Sequence, residues 1–140
     1  MRTYSGYISN LNPNQIFVFG SNTQGRHGKG AALLAKKYFG AIHGMSMGLQ
    51  GQSYAIVTKD LTKSEHPSIA PEYIITQIKV LYSTAKNMPN HEFLVAYTLN
   101  SNLNGYTPED MATMFAQAGT IPDNIVFNDQ FAKLIKDISI

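Results

Sequence analysis

A short apolar run that leads into a glycine-rich turn constrains the fold of this chain more than any other stretch. Residues 16–19 are four bulky apolar residues bounded by turn formers, which is typical of a buried strand. Residues 20–30, here called the glycine loop, contain four glycines, two cations and no acid. Residues 31–37 favour a helix. Because glycines and a helix N-terminus together present unpaired N–H groups to an anion, this stretch predicts a phosphate-binding site.

Apolar patterns along the rest of the chain alternate strands with helices. Further strands are predicted at residues 2–8, 53–57, 92–97 and 125–127. Helices are predicted at residues 31–39, between Pro71 and Pro89, between Thr107 as N-cap and Gly119, and after Asn128 or Asp129. The last helix is predicted to bury Phe131, Leu134, Ile135 and Ile138.

This order predicts one α/β domain over residues 1–140, with a mainly parallel sheet covered on both faces. Ligands of such sheets bind outside the carboxyl ends of the strands, which places three segments along one edge. They are the glycine loop, residues 58–60, and residues 98–106, here called the asparagine loop. Asparagine is the residue besides glycine that best tolerates positive φ, which is typical of loops. Residues 40–52 are predicted to be an ordered loop packed near the glycine loop, because their glycines allow close backbone approach.

Composition and charge exclude several classes of function. The chain has no cysteine, so a disulfide framework and a thiolate zinc site are both impossible. Residues 1–59 carry six basic residues and no acid, whereas residues 60–140 carry five basic and nine acidic residues. The acid-free half suits a small polyanion, but six scattered cations are too few for a nucleic-acid surface. No signal peptide or membrane span is recognisable, so a cytoplasmic protein without membrane contact is expected.

Two common phosphate-binding motifs do not fit the glycine loop. Gly20 and Gly25 have the spacing of a Walker A motif, but Lys29 is followed by glycine instead of a serine or threonine that would bind magnesium. Leu33 stands where a dinucleotide fingerprint needs its third glycine, and no acid follows about 20 residues later. Neither an NTPase nor a dinucleotide-binding Rossmann site is therefore predicted.

The glycine loop instead resembles that of macrodomains, the ADP-ribose-binding α/β modules. Gly20-Ser21-Asn22 ends a strand as in that family, and Gly28-Lys29-Gly30-Ala31 enters a helix. Thr58-Lys59 and the asparagine loop extend the resemblance toward the branch of small de-ADP-ribosylating macrodomains. The resemblance implies a three-layer α/β/α fold with a mainly parallel mixed sheet. It also implies ADP-ribose or a related NAD-derived nucleotide as the ligand, with no cofactor and no metal.

The resemblance also assigns roles to individual residues. Asn22 would hydrogen-bond the distal ribose, although a turn residue that satisfies its own backbone is the alternative. In the similar enzymes, the lysine at the position of Lys59 attacks the anomeric carbon, and an acid on the second loop assists. Here the acid's position is Asn104, which cannot act as an acid or base, and Asp60 or Glu109 would have to replace it. Lys59 is therefore a candidate catalytic residue, but a ligand-binding cation is the favoured interpretation.

Three functions stay open at this point. They are a binding module for the nucleotide, an ADP-ribosyl hydrolase that uses Lys59, and an interaction domain of the same fold that has lost the ligand. Tyr97 and Tyr106 flank the asparagine loop and are candidates to stack on adenine, with core packing as the alternative for Tyr97. The predicted ligand-binding residues are Gly20, Ser21, Asn22, Gly25, Arg26, His27, Gly28, Lys29, Gly30, Ala31, Asn100, Ser101, Asn102, Asn104, Gly105 and Tyr106.

Overall fold

The computed structural model describes residues 1–100 and 102–138, which form six strands and four helices. The strands are β1 (Arg2–Tyr4), β2 (Gln15–Asn22), β3 (Gly48–Gln50), β4 (Ser53–Lys59), β5 (Glu92–Val95) and β6 (Ile125–Asn128). The helices are α1 (Gly30–Tyr38), α2 (Pro71–Lys86), α3 (Pro108–Gln117) and α4 (Asp129–Ile138). No helix within the described ranges is long and apolar enough to cross a membrane.

The strands form one mixed sheet in the order β1-β6-β5-β2-β4-β3. Every neighbouring pair is parallel except β3 and β4, which are antiparallel. The prediction of an α/β chain with a mainly parallel mixed sheet is therefore confirmed. The prediction that residues 40–52 contain no strand is wrong, because β3 lies within them. With three residues, the first of them a glycine, β3 is too short to produce an apolar alternation in the sequence.

Helices cover both faces of the sheet. On one face, Phe17 and Phe19 of β2 pack with Ala32 and Ala35 of α1. On the other face, the alternate β2 residues Ile16 and Val18 pack in a larger core. The helical residues of that core are Ile74, Ile78, Leu81, Tyr82 and Ala85 of α2, Met111, Ala112, Met114 and Phe115 of α3, and Phe131, Ala132 and Ile135 of α4. Successive residues of a strand point to opposite faces, so the four apolar residues of β2 stabilise both layers at once.

The helix ends follow the sequence signals closely. Thr107 and Asp110 form a complete capping box at the start of α3, as predicted. Asn128 caps α4, since its Oδ1 accepts hydrogen bonds from the backbone N–H of Phe131 at 3.1 Å and of Gln130 at 3.0 Å. Within α4 the prediction of the buried face is partly wrong. Leu134 is half-buried and Ile138 is 39% exposed, because the last turn extends beyond the core.

Several strand ends differ from their predicted positions. β2 continues through Asn22 and β4 through Lys59, so these residues belong to paired strands instead of loops. Asn22 lies opposite Lys59 after a register shift next to Ser21. β1 ends at Tyr4 instead of residue 8, and β5 ends at Val95 instead of residue 97. The extended pairing of β2 with β4 fixes the backbone of two predicted site residues.

Candidate functional site

A cavity of about 440 Å³ lies at the carboxyl ends of β2, β4 and β5, where the three predicted segments meet. The predicted site residues that line it are Gly20, Ser21, Asn22, Arg26, Gly28, Lys29, Gly30, Ala31, Lys59, Asn100, Asn102 and Asn104. Ala32, Thr58, Leu61, Ala96, Tyr97, Thr98 and Leu103 complete the lining. Its volume falls in the range of roughly 300–1,000 Å³ that is usual for small-molecule sites. Ser101, also predicted, lies outside the described residues.

Gly25 and His27, two of the predicted ligand-binding residues, do not line this cavity. Gly25 has φ +63, and a Cβ added there would lie 2.5 Å from the carbonyl carbon of Gly44. The backbone N–H of Gly44 also donates to the Gly25 carbonyl at 2.9 Å. The predicted packing of residues 40–52 near the glycine loop is thus confirmed at Gly44, and Gly25 permits it. His27 is buried beneath the loop, where its ring packs edge-on against Phe19 and its Nε2 lies 3.2 Å from Gln50 Oε1.

Gly105 and Tyr106 also lie outside the lining. A Cβ on Gly105 would come within 2.5 Å of the backbone nitrogen of Pro67, so this glycine allows the segment before α2 to pack against the asparagine loop. The Tyr106 hydroxyl donates to the Ile69 carbonyl at 2.5 Å. Both residues therefore anchor the asparagine loop to the body of the protein, and Tyr106 does not present its ring to the cavity.

The N-terminus of α1 opens into the cavity without a cap. Lys29 occupies the N-cap position, its side chain makes no capping hydrogen bond, and the first turn contains no acid. The other described helices each have an acidic residue in the first turn. The first backbone N–H groups of a helix have no partner within the helix. At α1 they belong to residues that line the cavity, Gly30 to Ala32, so an anion in the cavity would satisfy them.

The carboxamide of Asn22 is already engaged by the glycine loop. Its Oδ1 accepts from the backbone N–H of Arg26 at 2.9 Å and of Gln24 at 3.3 Å. Its Nδ2 donates to the Arg26 carbonyl at 2.7 Å. The structure therefore favours the alternative in which Asn22 satisfies its own turn. One N–H of the amide is left over for a ligand, so its contribution to ribose binding would be small.

The charged side chains of the cavity are all cations. Arg26 and Lys29 lie on the glycine loop, and the half-buried Lys59 ends β4. Within residues 1–100 and 102–138, none of these cations has a carboxylate within 4 Å. No acid of the described chain lines the cavity. Such an arrangement attracts anions and offers no carboxylate for proton transfer.

The two acids considered as replacements for the missing carboxylate are directed elsewhere. Asp60 Oδ1 accepts from the hydroxyl of Thr62 at 2.7 Å and from its backbone N–H at 2.9 Å. These hydrogen bonds hold the pKa of Asp60 below its usual value. Glu109 lies in the exposed first turn of α3. Neither lines the cavity, so neither replaces the acid expected at position 104.

Asparagine side chains organise the second loop through hydrogen bonds. Asn102 Oδ1 accepts from the Asn104 N–H at 3.0 Å, and Asn104 Oδ1 accepts from the Tyr106 N–H at 2.9 Å. Asn102 Nδ2 also donates to the Tyr106 carbonyl at 3.1 Å. Among the described residues only glycines have positive φ, so the described asparagines of this loop do not use that conformation. Their side chains act as local turn caps instead.

Tyr97 belongs to the core beneath the cavity. Its ring stacks on that of Phe131, with the two centroids 6.1 Å apart, and packs edge-on against that of Phe115, with the centroids 6.0 Å apart. The ring is therefore not free to stack on adenine. Burial raises the pKa of its hydroxyl to about 12. Thr58 and Asn104 next to the hydroxyl oppose this shift, although the hydroxyl makes no hydrogen bond of normal geometry within the described residues. A Cβ on Gly20 would lie 2.7 Å from this oxygen, so position 20 needs glycine.

A second cavity of about 330 Å³ adjoins the first and shares Gly30, Ala31, Ala96, Thr98 and Asn100 with it. Its remaining lining is largely apolar and aromatic: Tyr4, Tyr7, Ile8, Phe17 and Leu34. Asn100 Nδ2 donates to the exposed Tyr7 hydroxyl, which joins the N-terminal segment to the asparagine loop. The sequence analysis missed this cavity. Its walls come from segments far apart in the chain, and only the surplus of tyrosine near the N-terminus hinted at it.

The sequence analysis also missed Leu103, which is 56% exposed and overhangs the glycine loop. Its Cδ1 lies 3.7 Å from where a Cβ on Gly30 would stand. A leucine between two asparagines in the sequence was the one available signal.

Because the two cavities share lining residues, they form a continuous groove with a cationic part and an apolar part. Comparisons of the chain with protein-family models, curated proteins and solved structures gave no match.

Proposed function

We propose that the groove binds ADP-ribose or a related NAD-derived nucleotide and that the chain is macrodomain-like. The observation that carries this proposal is the uncapped, acid-free N-terminus of α1, which opens into a cavity with three cations and no carboxylate among the described residues. A diphosphate supplies the negative charge and the acceptor oxygens that this end of the helix lacks. The motifs that resemble macrodomains, Gly20-Ser21-Asn22 and Gly28-Lys29-Gly30-Ala31, lie in the same place.

The shape of the groove suits an elongated nucleotide. With the diphosphate at residues 28–31, the adjoining apolar cavity accepts a nucleobase against Tyr7, Ile8 and Leu34. Aromatic and aliphatic walls favour a flat base through burial and stacking. The base position assigned to Tyr97 and Tyr106 from the sequence is therefore replaced by one next to Tyr7.

Isothermal titration with ADP-ribose, ADP and NAD⁺ tests the proposal. We expect ADP-ribose and ADP to bind with micromolar affinity, and the affinity to fall as salt rises, because charge–charge attraction at exposed cations is screened. The absence of heat with all three ligands at high micromolar concentration would reject nucleotide binding.

Charge variants identify the surface involved. Lys29→Ala should weaken ADP-ribose binding about three- to tenfold, because one partly exposed cation near a phosphate contributes on the order of 1 kcal/mol. Lys36→Ala is the matched control, since Lys36 lies in the last turn of α1, at the opposite end of the helix. Equal effects of the two variants would mean that general charge, and not the loop, attracts the nucleotide.

A second candidate function is hydrolysis of an ADP-ribosyl bond with Lys59 as nucleophile. It is favoured by one observation, the position of the half-buried Lys59 on the cavity wall without a carboxylate partner within the described chain. It is disfavoured by the lack of any acid or base in the described lining. Release of ADP-ribose from an ADP-ribosylated protein that disappears in Lys59→Ala would establish it. Turnover that survives this substitution would reject the lysine mechanism.

A third candidate is an interaction domain that no longer binds a ligand. Ile42, Met45, Met47 and Leu49 form an exposed apolar group on the segment before and within β3, which is consistent with contact to another protein. However, the described residues of the two loops do not fill the groove. Nucleotide binding therefore has the stronger support.

A further inference from the structure

We propose that Lys59 selects the ligand by the charge of its distal group, so that the site rejects a cationic nicotinamide and accepts a neutral group of the same shape. This inference rests on the proposed function, and it narrows the ligand class. The site would favour ADP-ribose and reduced nicotinamide dinucleotide over the oxidised dinucleotide.

The order of the strands determines which part of a nucleotide meets Lys59. β2 lies between β5 and β4, and the glycine loop that follows β2 occupies the centre of the groove. The apolar cavity lies on the β5 side, toward Tyr4 of β1. Lys59 ends β4 on the other side. A nucleotide with its base in the apolar cavity and its diphosphate at the glycine loop therefore directs its distal end toward Lys59.

Nothing in the described lining opposes the charge of Lys59. The neighbouring Asp60 is the nearest acid in sequence, but its carboxylate is bound by Thr62 in a turn and does not line the cavity. Arg26 and Lys29 lie on the glycine loop, at the proposed position of the diphosphate, whereas Lys59 lies at the end of the neighbouring strand β4. A cation brought next to a half-buried ammonium is repelled more strongly than in bulk water, because the protein lowers the effective dielectric constant.

The oxidised and reduced nicotinamide dinucleotides form a matched pair of probes, since they have the same phosphates and nearly the same shape and differ by one positive charge. Competition against ADP-ribose should give an affinity about tenfold higher for the reduced form at low salt. This ratio should shrink at about 0.15 M salt, where the screening length is about 8 Å.

Lys59→Gln keeps the length and polarity of the side chain and removes its charge. It should bring the ratio of the two affinities to within about twofold. Asp60→Asn is the control, because it changes a charge next to Lys59 that does not face the cavity, and it should leave the ratio unchanged.

The possible failures are distinguishable. If ADP-ribose itself does not bind, the proposed function is wrong. If ADP-ribose binds and the two dinucleotides bind equally, or their ratio is the same in Lys59→Gln, selection by Lys59 is wrong. If ADP-ribose binds and neither dinucleotide does, the exclusion is steric and the charge proposal is also wrong.

Discussion

The glycine loop and the asparagine loop border the same cavity, but they differ in how many side chains they use to order their backbone. The glycine loop combines a close backbone contact that needs glycine, the approach of Gly25 to Gly44, with one side-chain cap, the carboxamide of Asn22. The asparagine loop relies on side chains that cap its own backbone, as Asn102 does for Asn104. In consequence the first loop leaves backbone donors and cations free for a ligand, whereas the second uses much of its polarity internally. This difference explains why binding is better supported than catalysis.

Gly25→Val should have the largest effect on stability, because the new side chain disrupts the backbone contact that orders the glycine loop. The variant combines a left-handed φ of +63 with a Cβ 2.5 Å from the Gly44 carbonyl carbon. We expect the free energy of unfolding in urea to fall by about 3 kcal/mol or more. Gly28→Ala is the control, since a Cβ at Gly28 meets nothing within 4 Å and its φ is not left-handed. A loss below about 1 kcal/mol in Gly25→Val would show that the contact does not order the loop.

Gly28→Leu should separate binding from stability. The open space at Gly28 faces the cavity, so a leucine side chain would occupy the place of the diphosphate without a clash in the free protein. We expect ADP-ribose affinity to fall at least about a hundredfold, or about 2.7 kcal/mol, with the midpoint of urea unfolding unchanged. Retained affinity in a folded variant would move the phosphate site away from the glycine loop.

Asn102→Ala tests the asparagine loop. The substitution removes the acceptor for the Asn104 N–H and the donor to the Tyr106 carbonyl. The expected loss in the free energy of unfolding is about 1–2 kcal/mol. Asn100→Ala serves as its comparison and should cost less than about 0.5 kcal/mol, because the hydrogen bond of the Asn100 side chain within the described residues is to the exposed Tyr7 hydroxyl. Equal losses would mean that the internal caps do not order the loop.

Tyr97→Phe should have the smallest effect on stability at neutral pH. Within the described part of the chain its hydroxyl has no hydrogen-bond partner, so its removal should leave stability unchanged or raise it by up to about 1 kcal/mol. Tyr82→Phe is the matched control. That hydroxyl donates to the Phe115 carbonyl at 2.7 Å, and its loss should destabilise the protein by about 1 kcal/mol. Thermal unfolding of both variants gives the comparison, and a destabilised Tyr97→Phe would show that the hydroxyl is paired.

The same hydroxyl makes stability depend on alkaline pH. Burial raises the pKa of Tyr97 from 10.0 to about 12, so the folded state favours the neutral phenol. This preference contributes fully to the free energy of unfolding below pH 10. The contribution is lost as the pH rises toward 12, because Tyr97 ionises at lower pH in the unfolded chain than in the folded protein. Tyr97→Phe should therefore lose less stability than the parent protein over this range.

Much of the architecture was predictable because it depends on local patterns. Pro71 and Pro89 predicted the limits of α2, and Thr107 as N-cap predicted the start of α3. Element boundaries were less accurate, since β2 and β4 extend further by pairing with each other. β3 was missed for the same reason, because a three-residue strand exists only through its partner.

The candidate site was predictable as a place and not as a set of contacts. Alternating strands and helices were enough to bring three loops to one edge, since parallel strands all end on the same side. The tertiary structure decided three further features of the site. Gly25 and His27 lie outside the lining, Asn22 hydrogen-bonds within its own turn, and an apolar cavity lies beside Tyr7. Each depends on residues distant in the chain or on the direction of a side chain. The sequence by itself determined the fold class, the loops and the absence of acid before residue 60. Only packing decided which polar groups remain free for a ligand, because a buried or turn-forming group finds its partner inside the protein first.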